Sequence, residues 1–271
     1  MDWSPINIAA VAVVGLIGGT LGGLLGLGGS VFILPTITIL FGPQYHLYQA
    51  SALITNVCVA AAATRKHRGR GTIRQDVVPA MSVAGGCAAL IGVTTSNTIP
   101  TGWLYILFGS FVCYASAAEL IALARRKPDA PEQPIGETRW VLAICAGGIG
   151  GFLSGLLGIG GGAIMVPILR KFGKLPLKQA VASSACAMIP ICIIGAAWKN
   201  MSIPSLAAEG KTTATVSDAL SLAGVLSPMA IVGATLGAVL VYRLPAALIR
   251  GILSVLLAYV GVRMVMSGLA A

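Results

Sequence analysis

Charge is what this sequence most lacks. Asp, Glu, Lys and Arg make up 10% of its 271 residues and the mean hydropathy is +0.90, where soluble domains carry about 25% charged residues. That excludes one or two ordinary soluble domains and indicates a polytopic membrane protein. Period-two alternation is missing too, which argues against a transmembrane barrel. Histidine is almost absent: His46 and His67 are the only two, and both read as lying in connections. No apolar run carries a Ser/His or Cys/His pair, and there is no HExxH, no Walker A and no paired intramembrane carboxylate, so the chain reads as no enzyme. Six cysteines are present, but without a CxxC pair or a histidine at metal spacing. They read as small packing residues, with no metal or cofactor expected. The first apolar run follows Asp2 with no Lys or Arg before it. It therefore lacks the charged start of a cleavable signal peptide and is expected to remain.

What is there is a series of apolar runs of about 18 or more residues, each long enough to cross a hydrocarbon core about 30 Å thick. Basic residues outnumber acidic ones 18 to 8, and they cluster in short connections between the runs, as a positive-inside bias would place them. Nucleic acid is not the expected partner. Two glycine-dense breaks organise the whole: GLLGLGGS at 23–30 and GLLGIGGG at 155–162, each followed by a short apolar segment with a proline, Pro35 and Pro167. Residues 15–35 match 147–167 at 12 of 21 positions without a gap, an internal duplication.

The expected architecture is all-α, with two repeats of one Gly-broken helical hairpin plus three crossings each. The first repeat covers 1–124, with a hairpin at 6–41 and crossings at 49–64, 77–97 and 101–124. A Pro-rich polar linker, 125–139, separates it from the second, 140–271, with a hairpin at 140–169 and crossings at 179–198, 217–242 and 245–267. Each hairpin is either re-entrant or two full crossings; both return the chain to the side it left.

Charge orients the repeats. The link after the first hairpin is uncharged, whereas the second hairpin is followed by Arg170, Lys171, Lys174 and Lys178; the next loop reverses this, with Arg65, Lys66, Arg68, Arg70 and Arg74 in the first repeat against a charge-balanced loop in the second. If basic connections face the cytoplasm, the repeats are inverted, the linker is cytoplasmic and both termini lie outside.

The paired glycine blocks, the prolines after them, ASALITNV at 51–57 with its preceding alanine, and QAVASSA at 179–185 resemble the TauE/SafE sulfite exporter family, also called the 4-toluene sulfonate uptake permeases. The resemblance covers essentially the whole chain, although Ser30 stands where a third glycine is common and Ser183 where threonine is. It implies transport of sulfur-containing anions such as sulfite, thiosulfate or organosulfonates, driven by the membrane potential or a proton gradient, across a bacterial inner membrane. Pairing Gln49-Ala50 with Gln179-Ala180 leaves Thr55-Asn56 two residues out of register with Ser183-Ser184.

A helix broken inside a membrane leaves N–H groups without intrahelical partners at the start of its second part, where the macrodipole places about half a positive charge. The candidate substrate site is therefore Gly28, Gly29 and Ser30 with Gly160, Gly161 and Gly162, while the upstream glycines at GxxxG spacing read as helix packing. Thr55, Asn56, Ser183 and Ser184 add neutral hydrogen-bonding groups suited to sulfonate or sulfite oxygens. Glu119, the acidic residue well inside a crossing, is the proton-coupling candidate by scarcity. Arg65, Lys66, Arg68, Arg170 and Lys171 are candidates for a cytoplasmic vestibule that concentrates anions. The expected partners are the small sulfur anion, the bilayer, a coupling proton and, as a candidate, a second copy of the chain. A passive anion channel and a non-transporting scaffold are the rival readings.

Overall fold

A computed structural model describes residues 3–26, 28–124, 140–240 and 246–269. The described residues form ten helices and no strand, as apolar segments must where lipid offers the backbone no hydrogen-bond partner. They are α1 Pro5–Leu25, α2 Ser30–Phe41, α3 Tyr45–Arg68, α4 Val78–Thr98, α5 Thr101–Ala124, α6 Trp140–Leu157, α7 Gly162–Lys171, α8 Leu177–Ala208, α9 Val216–Leu240 and α10 Ala246–Leu269. Seven of them carry stretches long and apolar enough to span a bilayer, so the chain is a multi-pass membrane protein.

Local signals set the helix ends. Ser4 accepts the Asn7 N–H ahead of Pro5, and α1 ends where Gly26 turns left-handed at φ 67° and donates to the Gly22 carbonyl. The second arms are short: α2 has 12 residues and α7 has 10, about 18 and 15 Å of helix, too little to cross about 30 Å. They fold back on the first arms. A Cβ on Gly150 would meet Met165 Cγ at 2.7 Å, and one on Gly173 would meet Leu142 Cδ2 at 3.1 Å, so the end of α7 returns to the start of α6. Both breaks thus belong to returning hairpins.

Small residues let the hairpins dock. Gly15, Gly19 and Gly23 of α1 lie against the Leu226, Ala230 and Ala234 carbonyls of α9, and Gly147, Gly151 and Gly155 of α6 against the Met81, Gly85 and Ala89 carbonyls of α4. A Cβ at any of these six would strike neighbouring backbone, the demand that small-residue motifs meet. Exchanging the first five helices for the last five converts the α1/α9 packing into α6/α4 and α3/α9 into α8/α4. The same exchange leaves α3/α8 and α5/α10 in place. These main pairings repeat under the exchange, with α3 and α8 at their centre.

α3 and α8 run antiparallel. His46 near the start of α3 meets Lys199 in the last third of α8, while the Arg74 N–H just beyond α3 donates to Ser183 near the start of α8. Two expectations need correcting here. α8 does not stop near residue 198 but continues to Ala208, because its Lys199 is wholly buried among hydrogen-bond acceptors and Ile203 and Leu206 bury behind it. The histidines do not lie in connections either: both are buried on α3, which starts at Tyr45 because Tyr45, Leu47 and Tyr48 pack into the core. The linker at 125–139 lies outside the described residues.

Candidate functional site between the two breaks

One face of α3 holds the site together. Tyr45 Oη donates to the Leu157 carbonyl at 3.1 Å, and Gln49 Nε2 to the Gly155 and Leu156 carbonyls at 2.7 and 3.0 Å. These are carbonyls that the end of α6 leaves without intrahelical partners. Gln49 is itself positioned by the Ser96 hydroxyl, which donates to its Oε1 at 2.9 Å.

Two helical turns on, Asn56 joins the two breaks. Its Oδ1 accepts the Ser30 N–H at 3.2 Å, and its Nδ2 donates to Ser30 Oγ at 2.7 Å and to the Gly158 carbonyl at 3.3 Å. Ser30 is the first residue of α2, so an amide oxygen occupies the partly positive helix end where an anionic oxygen is also favoured.

The glycines divide into two groups. Gly28 and Gly160, at φ 82° and 81°, face the centre: a Cβ on Gly28 would lie 2.9 Å from the Ile159 carbonyl and 3.3 Å from Asn56 Oδ1, and one on Gly160 2.7 Å from Met188 Cε and 2.8 Å from Asn56 Nδ2. The left-handed backbone there is open mainly to glycine. Gly162 abuts the Gly26 carbonyl across the two breaks. Gly29 and Gly161 instead back onto the first arms of their own hairpins, where a Cβ would lie 2.9 Å from the Gly18 oxygen and 2.7 Å from the Gly150 oxygen. Among the described residues, the N–H groups of Gly28, Gly29, Gly160, Gly161 and Gly162 bond to no protein acceptor.

The structure therefore brings Gly28, Ser30, Asn56 and Gly160 together, with the end of the Met188 side chain against Gly28, Gly160 and Gly162. It does not bring the remaining hydroxyls to the same point. Thr55 Oγ1 donates to the Ser51 carbonyl and Ser184 Oγ to the Val181 carbonyl, each within its own helix, although both side chains are buried. Ser183 Oγ accepts the Arg74 N–H at 3.0 Å. Asp76 holds Arg74 there by two hydrogen bonds, the main cause that keeps its guanidinium above the ordinary arginine pKa. The two-fold register is the gap-free one of the glycine blocks: Gly158 faces Gln49 as Gly26 faces Val181, and Ser51 reaches the Ala219 carbonyl much as Ser183 meets Arg74. In that register Asn56 pairs with Met188 and Ser183 with Ser51, so the site is asymmetric.

The basic residues lie at one end. Arg65, Lys66 and Arg68 stand exposed in the last turn of α3; half-buried Arg170 and exposed Lys171 lie in the last turn of α7, which leads into the start of α8 beside Arg74. Cations there complement the negative helix ends. Glu119 belongs to α5, but its side chain lies outside the described residues.

Gln49, Tyr45 and Met188 are site residues that the motif reading missed. The available signal was the polar spacing Gln49–Asn56 on an otherwise apolar helix, which marks one face.

Comparison with known proteins finds relatives along the whole chain. The chain is 28% identical to the probable membrane transporter protein MamO of Magnetospirillum gryphiswaldense over 97% of its own length, but spans only 45% of that protein. It is also 28% identical to the probable membrane transporter protein YunE of Bacillus subtilis, over 66% of this chain and 73% of that one. A probable membrane transporter protein of Methanocaldococcus jannaschii is 30% identical, over 68% of each. No solved structure matches. Residues 11–264, which include both glycine breaks and every helix packed around them, match the family described as Sulfite exporter TauE/SafE, and the chain belongs to that family of membrane transporters.

Proposed function

We propose that this protein is a secondary transporter that carries a small sulfur-containing anion across a bacterial inner membrane by alternating access. Sulfite, thiosulfate and organosulfonates are the substrate class. The observation that carries the reading is Asn56, whose amide oxygen accepts from the first N–H of α2 while its NH2 reaches the far break.

In this reading Asn56 Oδ1 stands where a substrate oxygen binds. Rotation of the amide frees the Ser30 N–H and hydroxyl for the anion and turns Nδ2 into a further donor. The N–H groups of Gly160 to Gly162 supply the opposite wall. All of these donors are neutral, which favours an anion without trapping it as a buried arginine would. Thr55, Ser183 and Ser184 line the helices along which the halves move.

Inverted repeats give the alternation. Support for them comes from the antiparallel α3/α8 pair, the main pairings that repeat under exchange of halves and the gathering of basic residues at the end with Arg74. That end is the cytoplasmic one, with Arg65, Lys66, Arg68, Arg170 and Lys171 as its anion-collecting mouth.

A ligand panel tests the substrate class. Purified protein in detergent, titrated with sulfite, thiosulfate, sulfate and alkyl or aryl sulfonates, is expected to show a saturable rise in thermal midpoint with at least one sulfur anion and none with chloride. In proteoliposomes the same anion is expected to show saturable, gradient-dependent accumulation. Linear flux that only follows the electrochemical gradient would mean a channel, and no flux of any panel member would mean a scaffold.

A further inference from the structure

At the end of the molecule opposite Arg74 sits a buried cation that the anion site does not use. Lys199 is 0% exposed. Its Nζ lies 2.8 Å from His46 Nδ1, 2.7 Å from Asn97 Oδ1 and 3.4 Å from Ser96 Oγ. Asn97 and Ser96 accept from it as neutral groups, the direction of the His46 contact is set by the imidazole tautomer, and among the described residues no carboxylate pairs with it. His46 is 1% exposed and its Nε2 has no partner.

Other groups face the pair from every side. Tyr45 packs edge-on to the His46 ring from the same helix, and α4 contributes only the neutral Ser96 and Asn97. Beyond α8, Lys211 donates to the Asn97 carbonyl and is itself paired with Glu209 at 2.8 Å. At the start of α9, Asp218 is bound to the Thr215 N–H and hydroxyl.

The contact restricts the proton count. A nitrogen–nitrogen distance of 2.8 Å places a single proton between Lys199 and His46. If both the ammonium and both ring nitrogens carry protons, donor faces donor and the contact cannot persist. Proton occupancy of the pair therefore decides whether this α3–α8 contact persists. The state is also wired to the glycine breaks. Lys199 donates to Ser96, Ser96 to Gln49, and Gln49 to the Gly155 and Leu156 carbonyls just ahead of the second break.

We propose that Lys199 and His46 form the proton-binding site that couples anion movement to a proton gradient, in communication with the second break through Ser96 and Gln49. The inference rests on the anion-transport reading. A proton taken up from one side binds the pair as the anion occupies the breaks, and it leaves to the other side as the anion departs. The two ligands then raise each other's affinity by the same factor. The pair has the burial and the connection to the site that this role needs.

The test uses the full-length protein in proteoliposomes at clamped membrane potential, with labelled thiosulfate and methanesulfonate as probes because neither titrates in the working pH range. Wild type is expected to accumulate a probe when a pH gradient is imposed and to exchange it without one. Lys199→Gln and His46→Gln are expected to keep exchange but lose pH-driven accumulation by about tenfold. Where the neutral variants fail to fold, Lys199→Arg serves, since it keeps the charge but does not release its proton; it is expected to show the same split. Accumulation at wild-type level in the variants overturns the proposal. So does a wild type that exchanges the probe without responding to the pH gradient, an outcome that leaves anion transport standing. A wild type that exchanges neither probe nor any panel anion overturns the transport reading itself.

Discussion

Asn56 is the residue on which the two halves converge, and the account makes a definite prediction for it. Asn56→Leu leaves the Ser30 N–H and the Gly158 carbonyl unpaired inside the protein, a loss of about 1–3 kcal/mol. The expected outcome is a lower thermal midpoint in detergent with normal membrane insertion. The glycines separate by what a methyl group would meet. Gly160→Ala meets the flexible end of Met188 and the Asn56 amide, whereas Gly151→Ala meets the Gly85 backbone. Gly160→Ala is therefore expected to weaken anion binding at modest loss of stability, the left-handed backbone adding strain. Gly151→Ala is expected to lower the midpoint more and leave the affinity of the surviving protein near wild type. Equal effects of the two on affinity would contradict the division. Asn56 and the central glycines were legible in the sequence, because a polar amide in an apolar helix and a glycine run inside a span both demand a reason. Gln49 fell inside the expected crossing, its polar spacing to Asn56 unread, and His46 was hidden: it sits beside FGP in a stretch with connection-like composition, and only the packing of Tyr45, Leu47 and Tyr48 draws it into a helix.

At the scale of elements, the proposed mechanism rests on the returning hairpin. Its second arm is short, and the first arm ends on carbonyls that something must satisfy. α3 performs that task for α6 through Tyr45, Gln49 and Asn56. Gln49→Leu removes donors from two carbonyls and also strands Ser96, so a loss of about 1–3 kcal/mol is expected, measured as a lower thermal midpoint. A midpoint equal to wild type would show that α6 is held by packing alone. The glycine breaks were legible because glycine and proline act locally, while the sequence left re-entrant hairpins and two full crossings equally open. The true length of α8 was not, because a lysine in an apolar run reads as the end of a span; only the neighbours on α3 and α4 reveal that Lys199 is accommodated in the interior.

Across the whole molecule the packing repeats under exchange of halves, while the chemistry at its centre does not, since Asn56 faces Met188 in the shared register. The duplication and the charge swap were visible in the sequence as a gap-free match and a count of basic residues. The asymmetry was not, because it depends on which side chains cross between the halves. Orientation has its own test on a cysteine-free background: Arg70→Cys and Thr212→Cys are expected to react with an impermeant thiol reagent from opposite sides of the membrane, and labelling from the same side would contradict inverted repeats. The central claim is that the two glycine breaks, joined through Asn56, bind the transported anion. The most direct measurement is exchange of a labelled sulfur anion by wild type and Asn56→Leu in proteoliposomes at matched protein content. The account predicts saturable exchange in wild type and its loss in the variant, and undiminished exchange with unchanged half-saturation in Asn56→Leu would contradict it.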